Sequence, residues 1–123
     1  MNIIAVASLF KQFGYESNIC LDGSEAMEAV MTRYFAKKPM YKIILMDYSM
    51  PECNGPESTM LIRKFLKDVG IERNKQPVIC CLSAYSEEEF QKKSIESGMD
   101  MFLVKPIFKK HINQLLTKTN LIK

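Results

Sequence analysis

The sequence predicts an α/β domain built on a doubly wound parallel sheet. Three observations carry that prediction. Residues 43–46 (Ile-Ile-Leu-Met), 78–82 (Val-Ile-Cys-Cys-Leu) and 101–104 (Met-Phe-Leu-Val) are unbroken apolar runs of strand length, the pattern of strands covered on both faces. Stretches with helical periodicity separate them, so strand and helix alternate along the chain. Finally, 123 residues at 47% hydrophobic and 25% charged suit one domain, residues 1–123, around a single core.

The first segment, from Asn2, is rich in β-branched residues, yet Ile3, Val6, Leu9, Phe10 and Phe13 follow helical spacing and Gly14 offers a stop. A strand there would leave too few residues for a parallel crossover, which needs about a dozen, so a helix is predicted. A weaker strand follows at Ser17 to Leu21. Asp22 with Glu25 suits a capping box, opening a helix over Ser24 to Phe35 that places Met27, Val30, Met31 and Tyr34 on one face. After the run at 43–46, Ser58 to Val69 places Leu61, Ile62, Phe65 and Val69 on one stripe. After the run at 78–82, Ser86 with Glu89 predicts a capped helix ending near Ser97, with Gly98 at the position just past the end. The last helix follows Pro106, with Ile107, Phe108, Ile112, Leu115 and Leu116 as its apolar side.

Composition excludes several function classes. Lys plus Arg is 17 and Asp plus Glu is 14, a net charge of +3, short of the concentrated positive charge of most nucleic-acid binders. Lys109, Lys110, Lys118 and Lys123 are expected to form a solvated face, with no interleaved aromatic residues for base stacking. His111, just after the first two, is expected to face solvent. No apolar run approaches the roughly 18 residues of a membrane span, and no secretory signal opens the sequence, so a cytoplasmic location is expected. Cys20, Cys53, Cys80 and Cys81 lack a CxxC spacing and the chain has one histidine, which argues against a zinc site or a disulfide framework. Cys80 and Cys81 are expected to be reduced and buried, on opposite faces of one strand.

In doubly wound sheets ligands gather beyond the carboxyl ends of the strands. Asp47, Ser83 and Lys105 each follow one of the three apolar runs. Parallel pairing would bring a carboxylate, a hydroxyl and an ammonium to one rim. That set suits phosphoryl chemistry: a nucleophile, a hydrogen-bond donor and a cation to offset charge.

The segment Met46-Asp47-Tyr48-Ser49-Met50-Pro51-Glu52-Cys53-Asn54-Gly55 resembles the phosphoacceptor segment of response-regulator receiver domains, particularly those of hybrid histidine kinases. Leu82-Ser83-Ala84 is similar to that family's Thr/Ser-Ala motif. Gly98-Met99-Asp100-Met101-Phe102-Leu103-Val104-Lys105-Pro106 is similar to its last strand and Lys-Pro pair. Gly14-Tyr15 and Asp22-Gly23-Ser24-Glu25-Ala26 match the text around its second strand and helix. The resemblance implies a flavodoxin-like fold with strand order 2-1-3-4-5. It implies Asp47 as the phosphoacceptor, Ser83 and Lys105 as residues that hold the phosphoryl group, Phe102 as a switch aromatic, and a cis bond before Pro106. Asn54 and Gly55 would form the loop after the acceptor, with glycine free to take a positive φ. A histidine kinase or phosphotransfer protein would be the partner, and Mg²⁺ the cofactor, on Asp47 and the Ser49 carbonyl. A Met- and Phe-containing face on the last two helices would meet partners.

One departure stands out. Family members open with a strand ending in two acidic residues that help hold Mg²⁺, and Asn2 onward matches the following helix instead. A missing first strand, weak Mg²⁺ binding, and a chain that is destabilised, rearranges its sheet or borrows a strand from a second copy are therefore expected. Two other readings stay open: a pseudo-receiver that acts purely as an interaction module, and a small-molecule or thiol-redox α/β protein.

Overall fold

The computed structural model describes residues 23–48, 55–84 and 86–118. The predicted helix from Asn2 and the strand at Ser17 to Leu21 lie outside these residues, as do Asp22, Ser49, Asn54, Cys20, Cys53 and Lys123, and with them the expected gap in the sheet. The described elements run α1 (Gly23–Phe35), β1 (Ile43–Asp47), α2 (Gly55–Asp68), a short 3₁₀ turn (Arg73–Lys75), β2 (Val78–Ser83), α3 (Glu88–Ser97), β3 (Met101–Val104) and α4 (Lys109–Lys118). The strands form a parallel sheet in the order β1-β2-β3, and each apolar run predicted from sequence is one of them.

Parallel strands alternate their side chains between two covered faces. On one face Ile44, Met46, Ile79 and Cys81 join Ala26 and Val30 of α1 and Ile62 and Leu66 of α2. On the other, Cys80, Leu82 and Leu103 pack with Ile107 and with Ile112, Leu115 and Leu116 of α4. Cys80 and Cys81 are both fully buried, one in each layer, as their adjacency on a strand requires. No helix of the described residues is long and apolar enough to cross a membrane.

Several local expectations are corrected. Helix α2 starts at Gly55 rather than Ser58, and its buried stripe is Gly55, Ser58, Thr59, Ile62 and Leu66. Leu61, expected inside, is 52% exposed. Ile62 and Phe65 of the predicted stripe do pack into the core, but small and polar residues make up the first half of the buried one, where apolar periodicity carries no signal. Gly55 is also not a positive-φ residue, since the described glycines with that geometry are Gly70 and Gly98. Its role is close approach: a Cβ there would lie 2.6 Å from the Asp47 carbonyl oxygen.

Helix α3 is not capped by Ser86. Its N-cap is Glu87, which makes no side-chain capping bond, and Glu88 and Glu89 fill the first turn, where negative charge complements the helix dipole. Gly98 does close it, in the left-handed region at φ 109°, with its N–H bonded to Ile95 O and Met99 N–H to Ser94 O. Helix α4 begins at Lys109, so Ile107 and Phe108 precede it. Ile107 is buried but Phe108 is 53% exposed. His111, expected in solvent, is half-buried: its Nδ1 accepts the Phe108 N–H at 2.9 Å and its ring stacks on Phe108. It thereby satisfies one of the helix's orphan donors.

The amino ends of β2 and β3 are tied by a charge network. The Arg63 guanidinium, from α2, donates to Asp100 Oδ2 (2.8 Å), the Gln76 amide oxygen (3.0 Å), Pro77 O (2.9 Å) and Gly98 O (3.0 Å). Arg73 adds bonds to Asp100 Oδ1 and Gly98 O. Asp100 Oδ2 also accepts the Ile79 N–H, and Asp100 N–H donates to Ile79 O.

Candidate functional site

The register decides what reaches the carboxyl rim. Asp47 is opposite Leu82 and Ser83 is opposite Val104, so the three strands end nearly level. One residue beyond each pairing, the Tyr48 N–H donates to Leu82 O at 3.0 Å and the Lys105 N–H to Ser83 O at 2.7 Å. These bonds carry the ladder to its edge and fix the backbone on both sides of Ser83. The Lys105–Pro106 peptide is cis.

Across that edge, Lys105 Nζ donates to Asp47 Oδ2 at 2.9 Å, with the two side chains 22% and 26% exposed. Two residues 58 positions apart are thus in direct contact. Ser83 is fully buried on the strand between them. Phe102 is half-buried on β3 and packs against the same core layer as Met46, Tyr48 and Phe90. Ser49 lies outside the described residues.

The surroundings separate this edge from the rest of the core. Tyr48 is 9% exposed and stands edge-on to Phe90 of α3, ring centroids 5.2 Å apart. Burial, then the Cys81 thiol and the Glu89 carboxylate, raise its phenol pKa above the ordinary value. Burial pushes the Cys81 thiol up to about 11, against the opposing effect of a hydrogen bond from Ser94. Both groups stay neutral at physiological pH. A protonated thiol is a poor nucleophile, which argues against thiol chemistry at Cys81.

The arrangement offers an oxygen nucleophile with a cation already beside it. As a Mg²⁺ site it is short of donors. Mg²⁺ demands near-octahedral oxygen ligation. Among the described residues no group of three or more His, Cys, Asp or Glu side chains could hold a metal ion, and the Asp47 carboxylate is engaged by Lys105. The described residues therefore do not amount to a Mg²⁺ site.

Sequence reasoning missed two contributors at this edge and one at the opposite end of the sheet. Gly55, expected in the loop, instead opens α2, and its N–H donates to Tyr48 O at 2.9 Å. The Tyr48–Phe90 ring pair had no signal beyond two aromatic letters. The Arg63–Asp100–Arg73 network joins residues that each look like ordinary surface charges in sequence. Salt-bridge partners 37 and 27 positions apart have no helical spacing to reveal them.

Comparison with known proteins places this geometry. The response regulator receiver domain family matches residues 1–117. Hybrid signal transduction histidine kinase B of Dictyostelium discoideum is 35% identical over 127 residues, covering 92% of this chain and 6% of that protein. The osmosensing histidine protein kinase SLN1 of Saccharomyces cerevisiae is 34% identical over 100 residues, covering 81% and 8%. The chain thus spans less than a tenth of either relative. Among solved structures, the receiver domain of the histidine kinase CKI1 from Arabidopsis thaliana, complexed with Mg²⁺ and BeF₃⁻, superposes with a TM-score of 0.71 at 30% identity, covering 93% of this chain and 80% of that one. Chemotaxis protein CheY4 of Vibrio cholerae shares the fold at 22% identity, with a TM-score of 0.71 and coverage of 94% and 87%. With its flavodoxin-like parallel sheet, its Asp47–Lys105 edge and these relatives, the chain belongs to the response regulator receiver domain family, as a signalling domain of the kind found in the hybrid histidine kinases of two-component phosphorelays.

Proposed function

We propose that this domain is a phosphoacceptor, taking a phosphoryl group from a phosphohistidine onto Asp47. The observation that carries the reading is the 2.9 Å contact between Lys105 Nζ and Asp47 Oδ2 at the carboxyl rim of the sheet, with Ser83 on the strand between. An Asp47 oxygen attacks phosphorus, the P–N bond to the donor imidazole breaks, and the imidazole nitrogen takes up a proton. Lys105, already within reach, offsets the charge that builds on the phosphoryl oxygens. Ser83 offers a hydroxyl to one of them, and Phe102 changes its packing as Ser83 moves. The aspartyl phosphate then biases the domain between two conformations. The partner is a histidine kinase or phosphotransfer protein, and the setting cytoplasmic. The similar CKI1 receiver domain was crystallised with Mg²⁺, and Mg²⁺ is the cofactor expected here, bound weakly through Asp47 and the Ser49 carbonyl.

The test is mass spectrometry after incubation with a small acyl phosphate and Mg²⁺. The expected result is one added phosphoryl group on the unsubstituted chain and none on Asp47→Asn. Addition that survives Asp47→Asn overturns the assignment of the acceptor. No addition to the unsubstituted chain favours the pure interaction module.

A further inference from the structure

We propose that the Tyr48–Phe90 ring pair couples the charge state of Asp47 to the first turn of helix α3, with Tyr48 acting as a positioning residue. The inference deepens the phosphoacceptor reading and rests on it for its signalling meaning.

Tyr48 is the residue directly after Asp47, and its backbone is held on both sides. Its N–H donates to Leu82 O on β2, and its carbonyl accepts the Gly55 N–H at the start of α2. A shift of the Asp47 side chain therefore strains a peptide unit that cannot move freely, and the neighbouring ring is what can respond. That ring is buried and meets Phe90 edge-on, at an interplanar angle of 84°, a geometry favoured by the ring quadrupoles. With its phenol raised in pKa by burial first, it remains a neutral packing body.

Helix α3 is built to respond at that end. Its second half is anchored: Ser94 and Ser97 are buried, and Ser94 Oγ lies 3.6 Å from Cys81 Sγ on β2 while donating to Phe90 O at 2.9 Å. Its first turn is held more loosely. Glu87 provides no side-chain cap, its carbonyl is shared between the Phe90 N–H at 3.1 Å and the Gln91 N–H at a long 3.4 Å, and three consecutive exposed glutamates fill positions 87–89. The Phe90 ring, third residue of the helix, is the point at which this turn touches Tyr48. The route starts on β1 and is separate from the one through Phe102, which reaches the same core layer from β3. Coupling of this kind is reciprocal, so truncating either ring must alter how α3 answers a change at Asp47.

The experiment is a double-mutant cycle that needs no phosphorylation. Asp47→Asn removes the charge, and hydrogen exchange of the amides at 88–92 reads the first turn of α3. We expect Asp47→Asn to change that exchange by about 2- to 12-fold, the range a single edge-on ring pair supplies. Tyr48→Leu or Phe90→Leu should abolish the response, and Tyr48→Phe, which keeps the ring, should retain it. A response that persists in both Leu variants, or no response to Asp47→Asn, overturns the proposal, as does its loss in Tyr48→Phe. If Tyr48→Leu does not fold, the half-buried Phe90→Leu carries the test. The failure of phosphorylation with an intact cycle would count against the acceptor reading alone.

Discussion

The two ends of the sheet are built on opposite plans. At the amino end, four bonds from the Arg63 guanidinium and two from Arg73 converge on Asp100, Gly98, Gln76 and Pro77, joining α2, β2 and β3. Burial lowers the Arg63 pKa, the nearby Arg73 charge adds to that, and Asp100 opposes both. At the carboxyl end one ion pair, Lys105 with Asp47, sits about a quarter exposed. The first end spends its polar groups on each other. The second keeps a carboxylate and an ammonium near water, in a contact that one added group can rearrange. Under the phosphoacceptor reading, this division lets the strands stay in register while the carboxyl-end contacts rearrange.

Arg63→Ala is the harshest way to break this contrast. It removes four hydrogen bonds and leaves Asp100 without the more buried of its two arginine partners, and a loss of about 3 kcal/mol is expected. Urea denaturation measures it, with Arg73→Ala as the control. Arg73 is 53% exposed and its truncation should cost less than about 1 kcal/mol. Equal losses for the two variants would mean that the amino-end network is not a lock.

Gly55→Ala attacks the carboxyl end from behind. The new Cβ, 2.6 Å from the Asp47 carbonyl oxygen and 3.2 Å from Met46 Cγ and Met99 Cε, forces α2 away from the end of β1. About 2 kcal/mol of destabilisation is expected, along with slower phosphoryl uptake at Asp47. Unchanged stability would show that α2 can slide, and that the carboxyl end is less tightly framed than its backbone bonds suggest.

Lys105→Met should have the smallest effect on stability and sharpens the contrast most. Losing a partly exposed ion pair costs within about 1 kcal/mol. Under the phosphoacceptor reading, the rate of adduct formation at Asp47 should nevertheless fall about tenfold or more. A thermal melt set beside the mass-spectrometric time course separates the two effects. A large loss of stability with unaltered uptake would assign Lys105 to the fold rather than to the chemistry.

The sequence made one pole readable and hid the other, for physical reasons. Strands buried on both faces must be continuously apolar, so 43–46, 78–82 and 101–104 announced themselves. Residues just past such runs in a parallel sheet share a rim, which made the meeting of Asp47 and Lys105 predictable. The Arg63 network obeys no period, because its members come from three separate segments, at 63, 73–77 and 98–100. Of the α2 stripe, Ile62 and Phe65 were legible, but the first turns were not, because Gly55, Ser58 and Thr59 are buried without being hydrophobic. His111 was misjudged because a ring nitrogen that caps a helix looks, in sequence, like any histidine among lysines.

Adjacent Cys80 and Cys81, pointing into opposite layers of the core, supply two built-in reporters for breathing of the molecule. A thiol-directed reagent needs a thiolate, and Cys81, with its pKa near 11, offers almost none while its layer is closed. Modification at neutral pH must then await an excursion that wets the sulfur. Since α4 covers Cys80 while α1 and α2 cover the layer that holds Cys81, the order in which the two sulfurs are captured discloses which side of the sandwich opens first.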